Sequence, residues 1–301
     1  MSEAREPTVP ELAEDVTARV LAEAASPRRP RRIACLTEET VEILYALGAG
    51  DLVVGVSKYV ERPPEARSKP RLCAFVKADY TAVEAVQPDL VLCFSDLQAD
   101  IAAECARRGM NVVVFNQRSV GEILGMVVAV GALVGLEERA RDLARRLRDH
   151  VSAVAAAARA LPFRPRVHVE EWDDPLITAI RWVAELVEVA GGSYLFPEAS
   201  RSAAAAGRVV DPAEVVRRDP EVILASWCGK AVRPAAIVGR PGWSSVCAVR
   251  RGRVHEISST ILLQPGPAAL TDGLDEVYRR IAAAAHDPAP RSAPVRDAGV
   301  R

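Results

Sequence analysis

Two stretches of this chain set reactive side chains beside aromatic rings: Glu171-Trp172-Asp173-Asp174 and Ser226-Trp227-Cys228-Gly229-Lys230. Three acids within four positions suit proton transfer or a divalent cation. They suit solvated loops and helix caps equally well. Cys228, with Lys230 two residues on, has a neighbour that favours a thiolate; an unreactive thiol is the expectation, with a nucleophile or a metal ligand as the alternatives. The indoles offer flat apolar surface, and Trp227, between a serine and a Cys-Gly pair, is expected to face a cleft. Trp182 lies in a helical pattern and reads as core, and Trp243 follows Pro241-Gly242 and reads as a turn staple. His168 and His255 fall inside strand-like runs and read as structural. No HxxxH, G-x-S-x-G, P-loop or G-x-G-x-x-G is present.

Both stretches follow short apolar runs, and such runs end in polar residues throughout. The others are Thr37-Glu38-Glu39, Ser57-Lys58-Tyr59, Ser95-Asp96, Asn116-Gln117-Arg118, and Ser258-Ser259-Thr260 with Leu263-Gln264-Pro265-Gly266-Pro267 beyond it. Open α/β sheets bind ligands outside the carboxyl ends of their strands. A cleft built from these ends would combine aromatic faces with many hydrogen-bonding groups. Asn116 equally suits a cap for the helix that follows.

For these ends to meet, the runs between them must fold as alternating strands and helices. Residues 33–36, 52–56, 89–94 and 111–115 read as strands, with helices at 39–47, 80–86 and 98–108. Thr37 is placed to cap the first helix, and Gly48 or Gly50 to end it. Residues 57–77, holding Pro63, Pro64 and Pro70, read as a loop. In the second half, 166–170, 221–225 and 253–257 read as strands and 182–190, 213–218 and 268–285 as helices. The fold class is therefore α/β with parallel sheets. Between the halves, 119–161 reads as one long helical stretch, in which Leu143, Leu147, Val151 and Val154 share a face. We read it as a strut joining two lobes. The resulting division is 1–31 N-terminal extension, 32–118 first lobe, 119–161 helical linker, 162–286 second lobe and 287–301 disordered tail. An amphipathic helix is expected over 11–25 and a Pro/Arg linker over 26–32.

With 301 residues, half of them hydrophobic and a quarter charged, the chain can hold two ordinary domains. A net charge of −1 argues against a nucleic-acid partner. The six cysteines form no CxxC pair, so neither a disulfide framework nor a zinc pattern is present. No run is long and apolar enough for a membrane span, and the first 32 residues lack the apolar core of a secretion signal. The expected location is cytoplasmic; a misassigned start would change that.

AVEAVQPDLVLCFSD in the first half echoes AEVVRRDPEVILASWCG in the second, each a helix, a proline, an acid, an apolar strand and a polar exit. Two such lobes and a connecting helix suggest a bilobed binding protein. EILYALGAGDLVVGVS (42–57), TAVEAVQPDLVL and WVAELVEVAGG then resemble the periplasmic binding proteins for cobalamin, haem and ferric siderophores, over about 32–285. The cobalamin-binding branch is the most similar. The resemblance implies two Rossmann-like lobes bridged by one long α-helix, the class III arrangement, with limited lobe movement. It implies a corrinoid or related macrocycle in the interlobe cleft as ligand and no covalent cofactor. Tyr59 and Phe75 fall where that branch presents aromatics to the corrinoid, and Trp172 and Trp227 lie on second-lobe loops facing the same cleft. Asp96, Asn116, Gln117, Arg118, Asp173, Cys228, Lys230 and Gln264 are the expected polar contacts. A metal site is left open.

In that family one glutamate per lobe docks on a membrane permease, seven residues before the strand's proline. Here Thr81 and Ala213 hold those positions, with Glu84 and Glu214 out of register. The leading expectation is thus a cytoplasmic corrinoid carrier or sensor without catalysis. The alternatives are an ABC-importer component with a missed signal, and an enzyme for a small polar substrate using Glu171, Asp173 and Asp174 opposite Cys228 and Lys230.

Overall fold

The computed structural model describes residues 29–288, with Val16 and Ala18. The helix expected over 11–25 lies outside them except for Val16 and Ala18, which are helical; so do 26–28 and the tail beyond 288. Six strands form the first sheet: β1 (Ile33–Cys35), β2 (Val53–Ser57), β3 (Arg71–Ala74), β4 (Lys77–Ala78), β5 (Leu90–Phe94) and β6 (Val112–Phe115). Their order is β4-β3-β2-β1-β5-β6, parallel except for the β3–β4 hairpin. The helices α1 (Glu38–Ala46), α2 (Tyr80–Ala85) and α3 (Ala99–Arg107) connect them. β5 reads Leu-Val-Leu-Cys-Phe and is buried throughout, as a parallel strand covered on both faces requires.

The stretch expected as one helix is two. Ser119 starts α4 (Val120–Leu133) with a complete capping box: its side chain accepts from the Glu122 N–H, and the Glu122 carboxylate accepts from the Ser119 N–H. Gly135, at φ +72°, then turns the chain into α5 (Glu137–Ala158). The helices cross closely at Gly131, where a Cβ would collide with that of Ala140. At ~1.5 Å per residue α5 is about 33 Å long, and it carries the chain into the second lobe.

That lobe holds β7 (Arg166–Asp173), β8 (Leu176–Thr178), β9 (Ser193–Tyr194), β10 (Val222–Ala225) and β11 (Val254–Glu256), in the order β11-β10-β7-β8 with β9 also on β7. Only β7–β8 is antiparallel. Its helices are α6 (Arg181–Val189), α7 (Pro212–Arg218), α8 (Pro234–Val238), α9 (Cys247–Arg250), α10 (Ser259–Leu262) and α11 (Leu274–His286), the last entered through a π-helical turn, Ala269–Gly273. The two echoing segments are α2–β5 and α7–β10, and β5 and β10 sit next to β1 and β7 respectively.

Two further expectations need correction. The segment 57–77 is not all loop: β3 pairs with β2, and β4 turns back on β3. Pro70 lacks an N–H, but its carbonyl accepts from Val56 at 2.9 Å, so the proline precedes the strand without breaking the ladder. β7 runs three residues past its expected end and pairs with β8, so Glu171, Trp172 and Asp173 are strand residues and only Asp174-Pro175 makes the turn. Thr37 stands at the N-cap of α1 without a side-chain bond to a helix amide; its hydroxyl lies 3.4 Å from that of Thr40.

Polar contacts tie the lobes. The Glu42 carboxylate accepts from the Ala268 N–H at 3.0 Å and from Arg62 at 2.7 Å, and Arg62 reaches on to Asp272 at 2.8 Å. Gln117 donates to the Pro265 carbonyl at 3.2 Å. Among the described residues no helix is long and apolar enough to cross a membrane.

Candidate functional site

The carboxyl ends of both sheets meet at a cavity of about 530 Å³, within the range of about 300–1,000 Å³ usual for small-molecule sites. The first lobe supplies Thr37, Glu38, Glu39, Lys58, Tyr59, Glu61, Phe75 and Phe94. Facing them are Cys228, Gly229, Lys230, Ala231, Glu256, Ser258, Ser259, Thr260, Leu263, Gln264 and Pro265.

Three aromatic rings form the first-lobe wall, and one buried side chain orders two of them. The Gln98 amide accepts from the Phe94 N–H at 3.0 Å and donates to the carbonyls of Phe75 at 2.8 Å and Leu36 at 3.1 Å. It thereby pins the ends of β1 and β5 and the β3–β4 turn. Phe75 is held at φ +54°, where a bulky residue is rare and must be fixed by its surroundings. Arg118 lies over the Phe94 ring, 5.1 Å from its centroid. Tyr59 is exposed, with the Lys58 ammonium 4.8 Å from its ring centre.

At the base of this wall stand Glu38 and Glu39, the first two residues of α1. Both are buried, and Oε1 of each has no hydrogen-bond partner. Burial raises both carboxyls: Glu39, with Glu38 beside it, is pushed up to about 8, and Glu38 is raised as well, against a hydrogen bond from Ser57. Gly266 lets the second lobe close over this corner, since a Cβ there would lie 2.6 Å from the Glu39 Cβ.

The opposite wall is the segment after β10. Lys230 pairs with Asp173 and lies 3.8 Å from the centre of the Trp172 ring. Burial would raise Asp173, but the Lys230 bond and the charges of Lys230 and Arg233 outweigh it and hold the carboxyl low. The Cys228 thiol opens to the cavity, yet the walls strip it of water, and Glu171 and Glu38 add negative charge. Together they push it up to about 11, so Lys230 makes no thiolate.

Of the residues expected from sequence, Tyr59, Phe75, Cys228, Lys230 and Gln264 line the cavity. Trp172, Asp173 and Arg118 stand behind that layer, against Lys230 and Phe94. Gln117 is buried in the lobe contact, while Asp96 and Asn116 are exposed, Asp96 pairing with Arg118 at 2.8 Å. Trp227 is a correction: it is 1% exposed, and its indole N–H donates to Glu170 Oε1 at 2.8 Å. Arg240 binds the same carboxylate at 2.6 and 2.9 Å, and this buried group holds the indole in the core. Trp243 is also fully buried, beyond a staple's role, and Trp182 is core.

The acids proposed for catalysis do not converge. Glu171 faces Arg208 at 2.6 Å, Asp173 faces Lys230, and Asp174 sits at the hairpin turn. Among the described residues no group of three or more His, Cys, Asp or Glu side chains gathers as a metal site would require. Sequence reasoning placed Glu38 and Glu39 at a polar strand end without giving either a ligand contact, and it read Phe94 only as the last residue of its strand, next to the marked exit Ser95-Asp96.

Comparison with known proteins fits this geometry. The family model described as periplasmic binding protein matches residues 33–260. The ABC transporter substrate-binding lipoprotein YvrC of Bacillus subtilis is 25% identical over 263 residues, covering 84% of this chain and 81% of the relative. The vitamin B12-binding protein of Vibrio cholerae is 25% identical over 272 residues, covering 86% and 92%. Among solved structures, the periplasmic heme-binding protein RhuT from Roseiflexus superposes with a TM-score of 0.70 at 23% identity, over 83% of this chain and 99% of that one.

Proposed function

Because the chain belongs to the periplasmic binding protein family, we propose that its interlobe cavity binds a corrinoid or closely related macrocycle, without catalysis. The carrying observation is the wall of Tyr59, Phe75 and Phe94, two of its rings fixed through Gln98, opposite a polar wall of Lys230, Ser258 and Gln264. A flat apolar ring with a polar rim meets both walls at once. The vitamin B12 in the name of the Vibrio relative supports the same class.

In this reading the protein carries or senses its ligand in the cytoplasm. The support is electrostatic. Glu84 is tied to Arg108 at 2.7 Å, and Glu214 to Arg217 and to Arg218 at 2.5 Å, so the acids nearest the docking positions Thr81 and Ala213 are already paired. The second reading, an importer component, is favoured by the transporter named in the Bacillus relative. Calorimetric titration with hydroxocobalamin, dicyanocobinamide and haemin tests the ligand. A corrinoid Kd of about 1 μM or tighter, with a shift in the corrin spectrum, is the expected result. Binding of haemin alone overturns the corrinoid assignment. Co-purification with a permease would favour the importer.

A further inference from the structure

Glu38 and Glu39 have no task in the binding scheme above, and among the described residues neither forms an ion pair. They are 8% and 2% exposed, both residues line the cavity, and Oε1 of each is buried without a hydrogen-bond partner. A buried acceptor left unpaired costs free energy, which a retained proton or a donor on a bound ligand relieves. Two nearby cations are paired elsewhere, Lys230 with Asp173 and Arg62 with Glu42 and Asp272, and Lys58, which also lines the cavity, lies over the Tyr59 ring. Among the described residues the two carboxylates gather no third ligand for a metal cage, and Gly266 packs closely against Glu39.

Building on the macrocycle reading, we infer that Glu38 and Glu39 form an acceptor pair for N–H groups on the ligand's rim, so that the cleft selects ligands edged with amide or ammonium groups over those edged with carboxylates. A primary amide brings two donors to two carboxyls that line the cavity. Once Glu39 has ionised, above about pH 8, a carboxylate would meet only acceptors and add negative charge, which is discrimination by repulsion as well as by fit.

The test uses two corrinoids that share a ring and differ at its rim: dicyanocobinamide, with amides, and dicyanocobyrinic acid, with carboxylates. Spermidine serves as a free ammonium probe. Each is titrated at pH 9, where Glu39 is ionised, into the wild-type protein and into the Glu38→Gln/Glu39→Gln variant, with melting curves to verify folding; the single substitutions replace the double one if it melts early. Cobinamide should bind the wild type at least about tenfold more tightly than cobyrinic acid, and the variant should narrow that gap about tenfold, since glutamine can donate to a carboxylate. Equal binding of the two corrinoids, or a gap that survives in the variant, overturns the acceptor pair and leaves the macrocycle reading standing. Spermidine binding that depends on the two glutamates, with no corrinoid bound, supports the pair and overturns the macrocycle. Binding of none of the three overturns both.

Discussion

Gln98 donates a 2.8 Å hydrogen bond to the carbonyl of Phe75, from a different segment of the first lobe. Its side chain fills three backbone hydrogen-bonding needs at once and so holds two cavity aromatics in register.

Gln98→Leu keeps the volume and removes those bonds. The carbonyls of Leu36 and Phe75 and the Phe94 N–H lose their buried partner, so stability should fall by about 2–4 kcal/mol. Freed from that restraint, Phe75 should leave φ +54°, and corrinoid affinity should fall about tenfold. Chemical denaturation and titration measure the two effects; an unchanged affinity would show that Phe75 needs no such restraint.

Trp227 and Tyr59 should separate stability from binding. Trp227→Phe loses the indole bond to Glu170 and leaves a void, for a cost of about 1–3 kcal/mol, with ligand affinity little changed. Tyr59→Ala removes an exposed ring at the cavity, and should weaken binding while leaving the melting temperature within about a degree. The reverse pattern would return Trp227 to the site.

The unliganded protein should lose stability as pH rises from 6.5 to 8. Glu39 is raised from 4.5 to about 8 by burial, so between those values the folded chain holds more protons than the unfolded one, and stability falls as pH rises. Glu38, Glu42 and Glu171, also raised by burial, act in the same direction. His168 works against them on the acid side: burial and then Arg240 lower it from 6.5 to about 3, so below pH 6.5 the unfolded chain gains a proton that the folded one refuses. From pH 6.5 to 8 the loss should be roughly 1–2 kcal/mol, and Glu39→Gln should flatten it. Melting temperatures across this range decide it; a stability that climbs toward pH 8 would contradict the assignment.

Iodoacetamide should find Cys228 alone among the cysteines, and slowly, because the other five are buried and this thiol is held up to about 11. The rate should rise about tenfold per pH unit through pH 9, and bound corrinoid should suppress it. Rapid labelling at pH 7, read by peptide mass spectrometry, would mean that Lys230 does sustain a thiolate.

The α/β order was legible because runs such as Leu90–Phe94 and Val222–Ala225 are apolar from end to end and follow a proline and an acid. What escaped depends on pairing across distance. Nothing near Trp227 in sequence announces Glu170, 57 residues away, or Arg240, which together draw the indole inward. Glu171, Trp172 and Asp173 look like a polar loop until β8 folds back on them. Glu38 and Glu39 satisfy the rule for acids in a helix's first turn, and only the approach of Gly266 from the other lobe makes them a buried pair. Five of the expected cavity residues were found because strand ends are a topological property, which survives ignorance of the exact packing.

The ties at Glu42, Arg62 and Gln117 bear on time as well as shape. A container whose halves are fastened together has no lid to shut behind its cargo. Loading should then follow single-step kinetics, with a rate linear in ligand concentration and no slower phase after the encounter. Emptying on demand would need a lever from outside, some partner able to prise Ala268 from Glu42, and without one the dwell time is set by the grip of the walls alone.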